Sequence, residues 1–121
     1  MLRQLNNNTL PWFCAGDFNE ILSVDEKIGR ALRGARQMEE FRRVVEDCKF
    51  HNILFIGPKH TWSRGKGHNM ILERLDRGFA TEEWIKLFPM TYEKHLTAIF
   101  SDHTPLLFNI SNRSVQGSSK R

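Results

Sequence analysis

Cysteine is scarce in this chain, and the two present form no pattern. Cys14 and Cys48 are the only ones in 121 residues. They have no second ligand pair at the spacing of a structural zinc site, and they are too few for a disulfide scaffold. One falls in an apolar run and the other near a helix end, where buried free thiols are the default. Long apolar runs are missing too. No stretch approaches the length of a membrane span, and Met1 to Thr9 is polar, without the apolar region of a signal peptide. Nor is there a large excess of one charge. Eighteen Lys and Arg against fourteen Asp and Glu leave +4, which permits an anionic partner without requiring one. The glycine-spaced basic segment Arg64-Gly65-Lys66-Gly67 lacks Walker-type spacing, which excludes a nucleoside triphosphatase of that kind. There is no internal repeat and no clear second domain.

What is present suffices for one small domain with a modest core. The apolar fraction is 40%, with nine Phe and three Trp, a composition that folds rather than stays disordered. The chain is organised around the stretch from Pro11 to Leu22. Trp12 to Ala15 reads as a short buried strand, apolar throughout. Gly16 then lets the backbone turn or approach something closely. Asp17 and Asn19 follow, two apart, and in extended chain they face the same side. This pattern fits polar chemistry at a strand end. It fits an Asx-turn or a cap at Asp17 equally well.

Further along, Ser23 to Ala35 reads as a loop. Lys27, Arg30, Arg33 and Arg36 make it basic, either as a solvated loop or as a contact for a phosphate backbone. Arg36 to Lys49 is the clearest helix, with Met38, Phe41, Val44, Val45 and Cys48 on one face. Phe50 to Ile56 fits a short strand from near Asn52, stopped by Gly57-Pro58. Thr61-Trp62-Ser63 reads as another strand, ended by a hairpin-like turn at Arg64 to Gly67. A strand from Glu73 to Phe79 places Arg74, Asp76 and Gly78 on one face. Thr81-Glu82-Glu83 reads as a cap and first turn, opening a short helix that Pro89 closes. Leu106 to Ile110 reads as a final buried strand.

Three polar clusters stand out: Asp17 with Asn19, Arg74 with Asp76, and Asp102 beside His103. A His paired with an Asp can be oriented or charged. Another carboxylate can hold Mg²⁺, which takes oxygen ligands and keeps several waters. A further Asp can position or deprotonate a water that attacks phosphorus.

The segments Gly16-Asp17-Phe18-Asn19-Glu20, Thr61-Trp62-Ser63, Arg74-Leu75-Asp76-Arg77 and Ser101-Asp102-His103-Thr104-Pro105 occur in that order. Together they resemble the C-terminal half of the endonuclease/exonuclease/phosphatase superfamily, most closely the endonuclease domain of plant non-LTR (LINE-type) retrotransposons. The helix start Arg36-Gln37-Met38-Glu39-Glu40-Phe41 and the pair Glu83-Trp84 fit that subgroup. They weigh against a branch acting on small phosphoesters. The resemblance spans Trp12 to Phe108. It implies an α/β fold, a partial four-layer sandwich of mixed sheet with flanking helices. Residues 11–110 form the domain, 1–10 a loose lead-in and 111–121 a flexible tail.

The resemblance also implies roles. Asp17 looks like the residue that positions or deprotonates the attacking water, and Asn19 like the one that orients it and contacts phosphate. Asp102 looks like a metal-associated carboxylate. His103 looks like the group that stabilises a phosphoryl oxygen, with Asp76 orienting it. The cofactor expected of the complete domain is Mg²⁺, or Mn²⁺ in its place. DNA is the expected substrate, the setting is intracellular (nucleus or cytoplasm), and no membrane is involved.

Departures from the pattern shape these expectations. The family carries a further half-domain ahead of the Gly16-Asp17 segment, with an Asn or Asp and a metal-binding Glu. Only Met1 to Leu10 stands there in this chain. The catalytic set is therefore expected to be incomplete and the chain inactive by itself, pairing with the missing half-domain or with itself. Asn52 stands where the subgroup has Asp, and His60 where Phe or Tyr precedes Thr-Trp. The alternative expectation is a non-catalytic remnant of a retrotransposon protein that binds nucleic acid or a partner.

Overall fold

The structure is a computed structural model, and it describes residues 10–29, 33–97 and 102–110. The expected lead-in over Met1 to Thr9, the tail over 111–121, Arg30 and Ser101 lie outside the described residues. The chain is mixed α/β, with three small three-stranded sheets and two helices beside them. The first sheet joins β1 (Phe13–Asp17), β7 (Asp76–Ala80) and β3 (His51–Asn52), with β7 in the middle. The second joins β2 (Lys27–Ile28), β6 (Ile71–Glu73) and β5 (Trp62–Arg64), with β6 central. The third joins β4 (Phe55–Ile56), β8 (Tyr92–His95) and β9 (Leu106–Asn109). Every pairing is antiparallel except β4 with β8.

Helix α1 (Ala35–Asp47) starts one residue before its expected position, and the aromatic Phe41 on its inner face meets Phe18 and Phe79. Phe50 stacks on Phe79 at 5.8 Å between ring centroids. Phe79 is fully buried there, a placement that contributes about 1.5–3 kcal/mol. Ile21, Met38 and Leu75 form a second apolar centre, with Trp62 packed against it. Helix α2 (Glu82–Leu87) is capped by Thr81, whose hydroxyl accepts from Trp84 N–H.

Several strands differ from expectation for identifiable reasons. The first strand is not buried on both faces. It runs on through Gly16 and Asp17, pairs only with β7, and exposes Ala15 to Asp17. Gly16 lies inside β1, and nothing stands within 4 Å of where a side chain would be. The final strand also lies at a sheet edge, with Leu107 exposed and Leu106 and Phe108 half-buried. The expected strand from Glu73 to Phe79 is broken at Arg74 and Leu75. The N–H of Arg74 donates to Glu26 C=O and that of Leu75 to the Thr61 hydroxyl, so the chain leaves the second sheet there and enters the first. The expected single strand after Phe50 is likewise split. The chain passes from β3 in the first sheet to β4 in the third, with Ile53 N–H on Gly78 C=O. Part of the expected loop from Ser23 is ordered as a 3₁₀ turn at Val24–Glu26 and strand β2.

Charged groups fill much of the interior. Arg77, with no exposed surface, donates to Glu26 and to Asn52 Oδ1 and Arg74 C=O. Arg74 donates to Glu93 at 3.0 Å, and its guanidinium lies 4.4 Å from the Phe55 ring centre. Glu93 also accepts from Gly78 N–H and lies 2.6 Å from His95 Nε2. Charges this deep persist because each has a partner. Desolvation, reinforced by Arg77, lowers the pKa of Arg74 despite Glu93.

Candidate functional site

The antiparallel register of β1 and β7 sets Asp17 directly opposite Asp76. Like charges facing each other across a strand pair are unfavourable, so this register invites a positive group between them. His103 takes that place. Its Nδ1 lies 2.8 Å from Asp76 Oδ2, and its Nε2 lies 3.7 Å from Asp17 Oδ2. One donor atom from each of the three residues falls within 4.8 Å of the others. Asp76 is largely covered, whereas the Asp17 and His103 side chains are 44% and 38% exposed. The site is therefore open to solvent on the Asp17 side and anchored on the Asp76 side.

Each member is held by local chemistry. Asp17 Oδ1 accepts the N–H of Asn19 at 2.8 Å, the Asx-turn that the sequence allowed. Asn19 takes a positive φ of 55°, which Asn tolerates better than most residues. The turn leaves Asp17 Oδ2 free to face the imidazole, so turn-forming and site-forming roles coexist in one carboxylate. Phe18 N–H bonds Leu75 C=O, tying the turn to the β6–β7 junction. On the other side, Thr61 accepts from Asp76 N–H at 3.0 Å. His103 pairs with Trp62 in an isolated antiparallel bridge, flanked by Ser63 N–H on Asp102 C=O and Thr104 N–H on Thr61 C=O.

The hydrogen bond to Asp76 raises the His103 pKa above its ordinary value. Burial opposes the shift, and the charges of Asp76, Asp17 and Asp102 add to it. The shift favours the imidazolium form between the two carboxylates. Two carboxylates and a ring nitrogen are also a donor set that suits a divalent cation. This Asp-Asp-His cluster can chelate such an ion, and its chemistry is consistent with a metal-binding, hydrolase-like site.

The remaining expected residues sit nearby or apart. Asn19 is beside the cluster and joins it through its backbone. Asp102 is exposed, adds negative charge at His103, and is not among the three residues whose donor atoms converge. Arg74, grouped with Asp76 by sequence, turns into the interior toward Glu93. Lys27 and Arg33 of the basic segment both bind Glu73 rather than standing free in solvent. Burial would raise the Glu73 pKa, but the hydrogen bonds from Arg33 and Lys27 prevail and lower it. Arg33 also reaches Asn19 C=O and Glu20, so it braces the turn beside the site. Arg36 is on the surface near Glu40. His60 has its Nε2 buried without a partner, and burial lowers its pKa.

A cavity of about 380 Å³ lies elsewhere, lined by Glu46, Lys49, Phe50, His51, Glu82 and Glu83. It contains none of the three cluster residues. Sequence reasoning missed Arg33 as a residue that shapes the site and took Thr61 only as local framework with Trp62. The Thr signal was visible only as part of Thr61-Trp62-Ser63, and the Arg33 signal was lost among four basic residues. Compared with known proteins, the chain matches no family model, no curated protein and no solved structure.

Proposed function

We propose that the cluster is the water-activating end of a divalent-cation-dependent phosphodiesterase site, of the endonuclease/exonuclease/phosphatase kind, with DNA as substrate. The observation that carries this reading is the His103 imidazole clamped between Asp76 and Asp17 at 2.8 and 3.7 Å. Asp76 accepts from Nδ1 and turns Nε2 toward the open side. Asp17 Oδ2, at that side, accepts the proton of an attacking water. The protonated ring offers Nε2–H to a phosphoryl oxygen as negative charge grows there. Asn19, beside Asp17, contacts the phosphate, and Asp102 contributes as a cation-associated carboxylate. A divalent cation held by the Asp17, Asp76 and Asp102 carboxylates would supply positive charge to balance the phosphate. With the His103 ring protonated its nitrogens are not ligands, so carboxylates alone would hold the ion and leave much of an octahedral shell to water, and cation binding would be weak. The four-layer sandwich and the retrotransposon origin belong to the same reading, and both rest on the motif order.

The test is Mg²⁺- or Mn²⁺-dependent nicking of supercoiled plasmid. We expect trace nicking by the purified chain, with Asp17→Ala and His103→Ala each removing it, as general acid–base groups contribute roughly 10²–10⁴-fold. Nicking that persists unchanged in both variants overturns the reading.

A second reading, a binding remnant without catalysis, draws on the third sheet. Ile56, Lys94 and Leu107 lie in register across β4, β8 and β9, and all three are exposed. Two exposed apolar side chains flanking a lysine suit association with a partner or a second copy. Sedimentation at several protein concentrations tests it. A monomer at every concentration rules out self-association.

A further inference from the structure

We infer that Thr61 is the positioning residue that sets Asp76 against His103. It has no exposed surface, and it joins both halves of the pair. Its hydroxyl oxygen accepts two backbone N–H groups, Leu75 at 2.9 Å and Asp76 at 3.0 Å. These are the donors freed where the chain crosses from β6 to β7, and no strand partner takes them. Its own N–H donates to Glu73 C=O, on the last residue of β6. Its C=O accepts from Thr104 N–H, one residue past His103. The next residue, Trp62, makes the bridge to His103. One residue therefore fixes the backbone of Asp76 through its side chain and the His103 segment through its main chain.

A hydroxyl is needed because the position must accept two N–H groups in a dry interior. Valine matches the shape and accepts neither. Serine keeps the oxygen. Losing the acceptor frees the junction to relax toward another donor–acceptor arrangement, which moves the Asp76 carboxylate relative to the ring.

The inference rests on the reading of the cluster as the reactive site, and its test separates the two. In Thr61→Val, amide exchange at Leu75 and Asp76 is expected to accelerate, and the nitrogen resonance of His103 Nδ1 to lose its hydrogen-bonded position. Mn²⁺ affinity is expected to fall roughly 10–100-fold, as when an orienting partner of a ligand is removed. Thr61→Ser is expected to restore all three. Thr81→Val is the control. That threonine is equally buried, and its hydroxyl accepts from Trp12 and Trp84 N–H, so its loss is expected to lower the melting temperature and leave the His103 resonance in place. Failure of wild type to bind Mn²⁺ counts against the reactive-site reading alone, since the exchange and resonance readouts need no metal. Wild-type values for both in Thr61→Val overturn the inference. If Thr61→Val does not fold, Thr61→Ser decides: a folded serine variant with the Asp76 protection lost overturns it, and one that keeps it supports it.

Discussion

Asp76 and Arg77 are neighbours on β7, yet they belong to two opposite kinds of charge cluster. Arg77 ends in a closed interior group with Glu26, where its donors meet carboxylate, amide and carbonyl oxygens, and Arg74, Glu93 and His95 continue the chain of contacts. Asp76 ends at a rim group with Asp17 and His103 that remains open on one side. The interior group has few unmet valences, Arg74 Nε and Arg77 Nε among them, and little access to solvent. Its contacts hold the sheets together. The rim group sets two carboxylates opposite each other with only an imidazole between, an arrangement poor for stability and suited to binding a cation. Alternation along one strand is enough to separate the two.

The comparison breaks most visibly at Arg77. Arg77→Met leaves the buried Glu26 carboxylate with Leu22 N–H and, at 3.7 Å, Arg74, and removing one partner of a buried pair costs about 3–5 kcal/mol. That is a large share of the stability of a domain this small. Urea denaturation is the measurement. A loss under about 1 kcal/mol, the range of exposed pairs, would mean that the interior group is wetter than its geometry indicates.

Asp17→Asn acts in the opposite direction. It removes one of two like charges that face each other across β1 and β7. Without a cation, and above the folded-state pKa of His103 where the neutral ring gains nothing from Asp17, stability is expected to rise by about 0.2–1 kcal/mol, the range for cross-strand pairs, while Mn²⁺ binding falls. A clear loss of stability without a cation would show that Asp17 is held chiefly for its Asx-turn.

Two histidines separate the regions by pH. The pKa of His103 is raised, so its stabilisation is full below about 6.5 and is lost as pH rises through its folded-state value. The pKa of His60 is lowered, so its neutral form favours folding above about 6.5, and that contribution is lost as pH falls toward its folded-state value. His103→Gln is expected to flatten the alkaline side of the stability profile and His60→Phe the acid side. Thermal melts across pH 5 to 9, roughly the histidine range, check both. The reverse assignment would show that the ring environments have been exchanged.

These contrasts mark what was legible beforehand. Helix α1 and the Thr81 cap were readable because apolar spacing and capping chemistry are local. Asp76 was expected to orient His103, and the two lie 2.8 Å apart with Asp17 beside them, whereas Asp102, expected as the metal-associated carboxylate, has no donor atom among those that converge. The interior charge group was not readable. Arg and Glu count as surface residues in any pattern of hydropathy, and only the fold brings positions 26, 52, 74, 77 and 93 together. The burial of β1 was overestimated for a related reason. Trp12 to Ala15 is apolar, but burial also depends on the number of neighbouring strands, and β1 has one.

The smallest expected effect concerns Asp102. The family resemblance makes it a cation ligand, whereas the converging donor atoms are those of Asp17, Asp76 and His103. Asp102 stands next to the ring, exposed, with its main-chain oxygen accepting from Ser63 N–H. Its negative charge adds to the upward shift at His103, although it is the last of the contributing causes. An exposed charge at this range contributes at most about 1 kcal/mol, or roughly fivefold in affinity. Asp102→Asn is therefore expected to lower Mn²⁺ affinity by no more than that, with the His103 ring titrating slightly lower and the fold unchanged. Calorimetric titration with Mn²⁺ measures it, with Asp76→Asn as the reference for a full loss. A loss in Asp102→Asn equal to that of Asp76→Asn would move the cation toward Asp102, and His103 would then keep its paired ring for the phosphate alone.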